Sequence, residues 1–196
     1  MKIIDNFIPP QSQDNLEKKV LDFLFPWHFA SSSDLGSGNH SEWLASRREL
    51  FQDQNIIDPP QFFHSMLIGQ QPTSTFALFT PLLNNLKYKN MRVLRMKMNL
   101  TYPVLGSTEL SYGVPHVDLP YESDYMTLVY YVTDADGDTI LFNERNGYAG
   151  KLSVQSRVQP KKGRIVIFDG NTLHAACPPV SNKTRVVVNI NIRFDK

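Results

Sequence analysis

The sequence predicts a mainly β fold with flanking helices: a double-stranded β-helix (jelly-roll) core preceded by N-terminal helices. Two observations carry that expectation. Before Asn90 the apolar residues recur at helical spacing, and after it the chain breaks into short segments of alternating polarity punctuated by Gly and Pro. Many short strands behind a helical preface fit two packed antiparallel sheets with helices outside. At 196 residues the chain fits a single domain, residues 1–196, with 1–90 as a helical support region and 91–196 as the jelly-roll core.

The elements follow in order. Pro9, Pro10 and Ser12 precede a helical face of Leu16, Val20, Phe23 and Leu24, ended by Pro26. Ser31 to His40 is rich in Ser and Gly and reads as a loop. Two further helical segments are expected around Pro60 to Gln70 and Ser74 to Leu86. His64 falls on the first of these as a packing or surface residue. His28 and His40 lack a ligand partner at suitable spacing. Met91 to Tyr102 sets Leu94, Met96, Met98 and Leu100 against Arg95, Lys97, Asn99 and Thr101, with Val93 as the exception, which is a half-buried strand. Tyr125 to Thr133, a turn at Asp134 to Gly137, and Thr139 to Phe142 together read as a hairpin. Arg164 to Phe168 and Thr184 to Phe194 are further strands.

Composition narrows the class. The chain is 41% hydrophobic and 20% charged with a formal net charge of +1, and its mean hydropathy is −0.30. That balance carries no large electrostatic footprint for nucleic acid or membrane. A single cysteine, Cys177, excludes an intrachain disulfide and a metal-thiolate cluster. It suits a reducing compartment, as a small buried hydrophobe. No apolar run has the length of a membrane-spanning helix or a signal peptide, so a soluble cytoplasmic protein is expected. No glycine-rich loop opens a helix, which leaves out phosphate-loop and dinucleotide-binding motifs.

The chemistry concentrates in His116-Val117-Asp118, His174 and Arg185. On a strand, residues two apart point to one face, so His116 and Asp118 present an imidazole and a carboxylate side by side. A second imidazole from a distant strand would complete a 2-His-1-carboxylate set. Such a set leaves three positions open on an octahedral metal and suits non-haem Fe(II). An arginine nearby offers a bidentate clamp for a carboxylate-bearing cosubstrate. Taken singly, each residue has an ordinary alternative. His116 fits a surface histidine, Asp118 a turn cap, His174 a satisfied core residue, and Arg185 a rim ion pair.

The order of the surrounding blocks is more specific. Tyr102-Pro103, Tyr112 and His116-Val117-Asp118 are followed by Val129-Tyr130-Tyr131-Val132-Thr133 and Gly137 to Phe142. Then come Pro160 to Phe168, His174 and Arg185 to Asn189. In this order the chain, from about Arg92 to Phe194, resembles the Fe(II)/2-oxoglutarate-dependent oxygenase superfamily and, within it, the prolyl 4-hydroxylase-like branch. The resemblance implies His116, Asp118 and His174 as iron ligands. It implies Arg185 as partner of the distal carboxylate of 2-oxoglutarate, with the Tyr131 hydroxyl as a second donor. Tyr102 falls where relatives place a tyrosine that contacts the cosubstrate or borders the iron. The implied cofactors are Fe(II) and 2-oxoglutarate, with ascorbate as an accessory. Two departures stand out. Asp136-Gly137-Asp138-Thr139 replaces paired glycines, and Asn191 stands where animal-type relatives carry tryptophan. Both are expected to bear on pocket shape and not to touch the ligands.

A member of that family would consume O2 and 2-oxoglutarate and hydroxylate a substrate, releasing succinate and CO2. A peptidyl, especially prolyl, residue is the expected target. Oxidative demethylation and hydroxylation of a small molecule are the alternatives within the family. Nucleic acid is not favoured, although Arg92, Arg95, Lys97, Lys161, Lys162 and Arg164 are locally basic. Outside the family stand a non-catalytic cupin-like binding module and a zinc hydrolase, the latter lacking a Glu beside the ligands. The loops Ser31 to His40, Val104 to Val114 and Asn143 to Lys151 are candidates to close over substrate; the last, with two glycines and alternating charge, fits a movable lid and equally an ordinary exposed loop.

Overall fold

The computed structural model describes residues 1–32, 40–68, 71–88, 90–181 and 183–194. Along the chain these form β1 (Lys2–Ile4), α1 (Pro10–Val20), β2 (His28–Ala30), α2 (His40–Phe51), β3 (Gln61–Ser65), β4 (Leu67–Ile68) and β5 (Gln71–Pro72). A 3-10 turn at Phe76–Phe79 leads into α3 (Thr80–Asn85). The remaining elements are β6 (Met91–Thr101), β7 (Tyr125–Tyr131), β8 (Thr139–Arg145), β9 (Val154–Val158), β10 (Ile165–Asp169), β11 (Thr172–Ala176) and β12 (Arg185–Phe194).

Two antiparallel sheets face each other, as a jelly roll requires. The larger runs β1-β10-β7-β12-β6-β3-β2 and the smaller runs β11-β8-β9. Paired strands expose alternate residues to opposite faces, and β6 shows the consequence. Met96 and Met98 are buried in the cluster formed with Phe79, Leu82, Leu16 and Val20, while Arg95, Lys97, Asn99 and Thr101 turn toward the smaller sheet. Val93 breaks the alternation for a structural reason. Arg95 pairs with Asn191 but Val93 pairs with Ile192, so Leu94 is the extra residue of a β-bulge. Between the sheets, Val129, Tyr131, Leu141, Val166, Phe168 and Val187 form a second cluster. A third joins Phe51 of α2 to Ile56, Tyr112, Ile140 and Phe142 on the outside of the smaller sheet.

The N-terminal half departs from expectation. Residues 61–65 form a strand paired with β6 and β2, where a helix was expected. Gln61, Phe63 and Ser65 alternate with Phe62 and His64, and β6 offers an unpaired edge, so sheet pairing wins over a weak helical spacing. His64 is buried on β3 with its ring nitrogens on Pro26 O and Thr75 Oγ1. The helix expected to Leu24 ends at Val20, and Phe23 and Leu24 are exposed. The Trp27 indole instead donates to Val20 O at the helix end. The segment 74–86 is helical as expected, and α2 was not foreseen.

The expected hairpin also resolves differently. β7 pairs with β10 and β12, whereas β8 pairs with β11 and β9. The turn between them carries the chain from one sheet to the other. Gly137 sits in that crossing against the backbone of Cys177 to Pro179, where a Cβ would collide with main-chain atoms. The lid reading of Asn143 to Lys151 is corrected as well. Its first three residues belong to β8, and Asn146 is fastened through its N–H to Asn171 O and its amide to Pro120 O. Of the Ser31 to His40 loop, residues 33–39 lie outside the described residues.

Candidate active site

The segment around His116 runs antiparallel to β11, and the two backbones exchange hydrogen bonds at one point: His116 N–H to His174 O and His174 N–H to His116 O, both 3.0 Å. Directly opposed residues place their side chains on the same face. The two imidazoles therefore meet, with ring centroids 4.7 Å apart. Asp118, two residues along, joins them, with Oδ2 3.8 Å from His174 Nε2. One ligand atom from each of the three lies within 4.8 Å of the others.

The hydrogen bonds suit these residues to a metal. His116 Nδ1 contacts Val114 O at 2.7 Å and His174 Nδ1 contacts Thr172 O at 3.1 Å. A carbonyl only accepts, so each Nδ1 carries the proton and each Nε2 keeps its lone pair for the cluster. Burial, with repulsion from His116, lowers the His174 pKa to about 4, outweighing the pull of Asp118. Asp118 stays ionised despite complete burial of its carboxylate. Desolvation opposes the charge, but Arg95, both histidines and the Asn191 amide hold its pKa far below the usual carboxylate range. Arg95 Nη1 donates to Oδ1 at 2.7 Å and Asn191 Nδ2 to Oδ2 at 3.0 Å. Two Nε2 atoms turned toward an ionised carboxylate make a donor set that fits Fe(II).

Asn191 was expected to bear only on pocket shape, and the structure corrects this: it touches Asp118 directly. Arg95 was noticed only as local positive charge. No periodicity could have singled it out, because its role depends on register. It pairs with Asn191 across β6 and β12, and Asn191 pairs with Thr127 on β7. Asn191 also donates to Thr127 Oγ1 at 3.1 Å.

Arg185 opens β12 opposite Thr101 and is 2% exposed. Its Nε donates to Gly137 O at 2.7 Å and its Nη2 to Thr139 Oγ1 at 2.8 Å. Among the described residues it forms no ion pair. Burial lowers its pKa, and the ring of Tyr131 lies 5.8 Å away. A desolvated guanidinium held at one edge by carbonyl and hydroxyl leaves its other edge for an anion. One cleft of about 340 Å³ joins this arginine to the His-Asp-His cluster, lined also by Lys97, Asn99, Thr139, Val187 and Asn189.

The two tyrosines are placed otherwise than expected. Tyr131 is fully buried outside the cleft lining, and its hydroxyl donates to Thr139 Oγ1 at 2.7 Å. It therefore supports Thr139 and Arg185 from behind. The hydroxyl facing the cleft is that of Thr139, which the sequence reading passed over. Tyr102 lies just past the end of β6 with its ring 6.2 Å from Phe62, also outside the lining. Its side chain follows the face of Leu100, opposite to the face that carries Thr101. Cys177 is buried and lines the cleft. The basic residues Lys161, Lys162 and Arg164 are tied to Asp5, Asp14 and Glu17, so they form no free phosphate-binding stripe. Asp118 is the only carboxylate among the cleft-lining residues, which leaves a zinc hydrolase without a general base there. None of the described helices is long and apolar enough to cross a membrane.

Fold and site together present a jelly roll with a three-residue cluster able to hold a metal and a buried arginine in the same cleft. The model of the 2OG-Fe(II) oxygenase superfamily matches residues 107–193, the stretch that holds the whole cluster and Arg185. A viral collagen prolyl hydroxylase from Paramecium Bursaria Chlorella virus-1, in its 2OG complex, shares the fold at 14% identity. The match covers 99% of this chain and 96% of that one, with a TM-score of 0.54. A prolyl hydroxylase from Trichoplax adhaerens in complex with a hypoxia inducible factor peptide fragment matches at 15% identity, covering 99% and 83%, with a TM-score of 0.55. A 2OG-Fe(II) oxygenase family oxidoreductase from Burkholderia pseudomallei matches at 11% identity, covering 92% and 76%, with a TM-score of 0.53. No curated protein matches the chain in sequence. Residues 107–193 match the 2OG-Fe(II) oxygenase superfamily, and family model and site together read the protein as a 2-oxoglutarate-dependent non-haem Fe(II) oxygenase with the fold of the prolyl hydroxylases. Its cofactors are Fe(II) and 2-oxoglutarate.

Proposed function

We propose that His116, Asp118 and His174 hold the iron, that Arg185 binds the distal carboxylate of 2-oxoglutarate, and that the enzyme hydroxylates a peptidyl, prolyl-type residue. The single observation behind the site assignment is the shared cleft: a three-ligand cluster open to the cleft at one end and, at the other, a buried arginine without an ion pair among the described residues. The peptidyl target is supported by the fold shared with two prolyl hydroxylases, one of them bound to a peptide.

When bound, Fe(II) and 2-oxoglutarate supply an oxidative decarboxylation that activates O2, yields succinate and CO2, and inserts one oxygen atom into a substrate C–H bond. The chain arranges that chemistry. His116 and His174 are locked in one tautomer by Val114 O and Thr172 O. Arg95 and Asn191 each occupy one oxygen of Asp118, which fixes the plane of its carboxylate. Gly137 O and Thr139 aim the Arg185 guanidinium, and Val129, Val187 and Ala175 keep the walls beside it apolar. The loop from Val104 to Val114, whose Gly113 and Val114 reach the cleft, serves as the substrate-facing cover.

The deciding experiment is anaerobic addition of Fe(II) and 2-oxoglutarate. A weak visible charge-transfer band that requires both components is expected, followed in air by succinate release stimulated by a proline-containing peptide. A cupin-like binding module would give neither. A band with turnover stimulated only by small molecules or methylated bases would move the substrate assignment and leave the site intact.

A further inference from the structure

The face that β6 turns toward the cleft carries four polar residues in a row: Arg95, Lys97, Asn99 and Thr101. One of them is accounted for: Arg95 is paired with Asp118. Thr101 stands beside Arg185 in register. Lys97 is not accounted for. Its ammonium makes no ion pair among the described residues, and its one close contact is the ring of Phe63, with Nζ 4.9 Å from the centroid. Lys97 is half-buried, and an ammonium partly withdrawn from water is normally paired. Burial, with repulsion from Arg95, lowers the Lys97 pKa to about 8. Next to it the Asn99 and Thr101 side-chain oxygens are buried without a hydrogen-bond partner.

Direction separates Lys97 from the cosubstrate clamp. Arg185 lies on β12. Phe63 lies on β3, which flanks β6 on the side away from β12. Lys97 therefore leans toward the flank of the cleft lined by Pro59 and Gln61. Charge points the same way. The cleft lining holds three cations, Arg95, Lys97 and Arg185, against the single carboxylate of Asp118. Arg95 answers Asp118. With Arg185 given to the distal carboxylate of 2-oxoglutarate, Lys97 is the lining cation left without an anion among the described residues.

We propose that Lys97 is the anchor for a carboxylate carried by the substrate, next to the residue that is oxidised. This rests on the oxygenase reading above and narrows its substrate to an acid. Phe63 would pack against the hydrocarbon beside that carboxylate, and the Asn99 and Thr101 oxygens would accept N–H hydrogens from the amide or amine next to it in the substrate. One carboxylate chemistry has two sources, an acidic side chain flanking a proline in a peptide and the α-carboxylate of a free amino acid.

The test uses the full chain, anaerobic and loaded with Fe(II) and 2-oxoglutarate, with binding read by calorimetry. The probes are matched acid and amide pairs: proline peptides with Glu or Gln on either side of the proline, and free L-proline against L-prolinamide. At least one acid should bind ten or more times tighter than its amide. In Lys97→Met that ratio should collapse to within about twofold, and in Lys97→Arg it should return. A peptide-only preference names an acidic neighbour, a proline-only preference names a free acid, and either supports the anchor. Equal affinity for every acid and its amide, or no measurable binding of any acid, overturns it. So does a preference that survives Lys97→Met. A tenfold shift of the 2-oxoglutarate midpoint in Lys97→Met, read from the charge-transfer band, overturns it by assigning Lys97 to the cosubstrate. Absence of the band in the unaltered protein sinks the iron-site assignment instead, and the acid-to-amide ratio is still measurable without it.

Discussion

Asp118 shows how much one residue depends on its neighbours. Its carboxylate is buried, yet two donors meet its two oxygens. Replacing His116, Asp118 or His174 by Ala should abolish Fe(II) binding and succinate formation while thermal melting stays cooperative, because the cluster lines an open cleft and not a packed core. A variant that kept full turnover would remove that residue from the ligand set. Arg95→Leu acts at one remove. Residues that orient a ligand typically change metal affinity by about 10–100-fold when lost, and chelator competition should show a loss in that range. Unaltered Fe(II) affinity would reduce the Arg95 contact to a surface-like ion pair. Arg185→Ala should raise the 2-oxoglutarate requirement strongly and leave Fe(II) affinity nearly intact, since stranding a buried charge costs about 2–5 kcal/mol. An unchanged midpoint in the charge-transfer titration would move the clamp elsewhere.

Lys97 carries a stability signature of its own. Its folded pKa, about 8, lies below the ordinary 10.5, so between those values the unfolded chain holds the extra proton. Stability from this group therefore rises as pH climbs from about 8 to 10.5, and the penalty is full below 8. Lys97→Met should raise the melting temperature of the metal-free protein at pH 7 by about 2–4 °C, on the order of 1 kcal/mol for a chain this long. The gain should fade toward pH 10.5. A lower melting temperature at pH 7 would mean that the ammonium is already well satisfied in the folded chain.

At the scale of elements, the crossing between β7 and β8 holds Arg185, the proposed clamp. Gly137 supplies the carbonyl for Arg185 Nε and lies against the backbone of residues 177–179, so a side chain there must push two loops apart. Gly137→Ala is expected to weaken 2-oxoglutarate binding and lower stability together. Tyr131→Phe removes only the hydroxyl that donates to Thr139, at about 1 kcal/mol for an ordinary hydrogen bond. It should therefore raise the 2-oxoglutarate midpoint by less than about tenfold, far less than Arg185→Ala. If both variants matched Arg185→Ala, Tyr131 would be a direct donor to the cosubstrate.

For the whole molecule, the question is which surfaces respond to substrate. Asn143 to Lys151 begins as strand and is fastened to Pro120 and Asn171, whereas Val104 to Val114 reaches the cleft through Gly113 and Val114. Hydrogen exchange of the Fe(II)- and 2-oxoglutarate-loaded protein should show peptide-dependent protection at 104–114 and little change at 143–151. Turnover with no protection at 104–114 would place specificity on the strands.

What was legible in the sequence was whatever depends on local order. The alternation of Leu94 to Thr101 announced β6 and the spacing of His116-Val117-Asp118 put two ligand types on one face, because period-two geometry is local, whereas His174 and Arg185 were singled out by donor chemistry and block order. The tertiary structure alone decided the rest. Residues 61–65 became a strand because β6 had an edge to offer, and β7 and β8 parted because the chain crosses between sheets there. Arg95 and Asn191 met at Asp118, Thr139 displaced Tyr131 from the cleft, and Lys97 was left facing it without an anion among the described residues. Each of these depends on which strand lies beside which and in what register, and a register is settled by pairing and burial across the molecule.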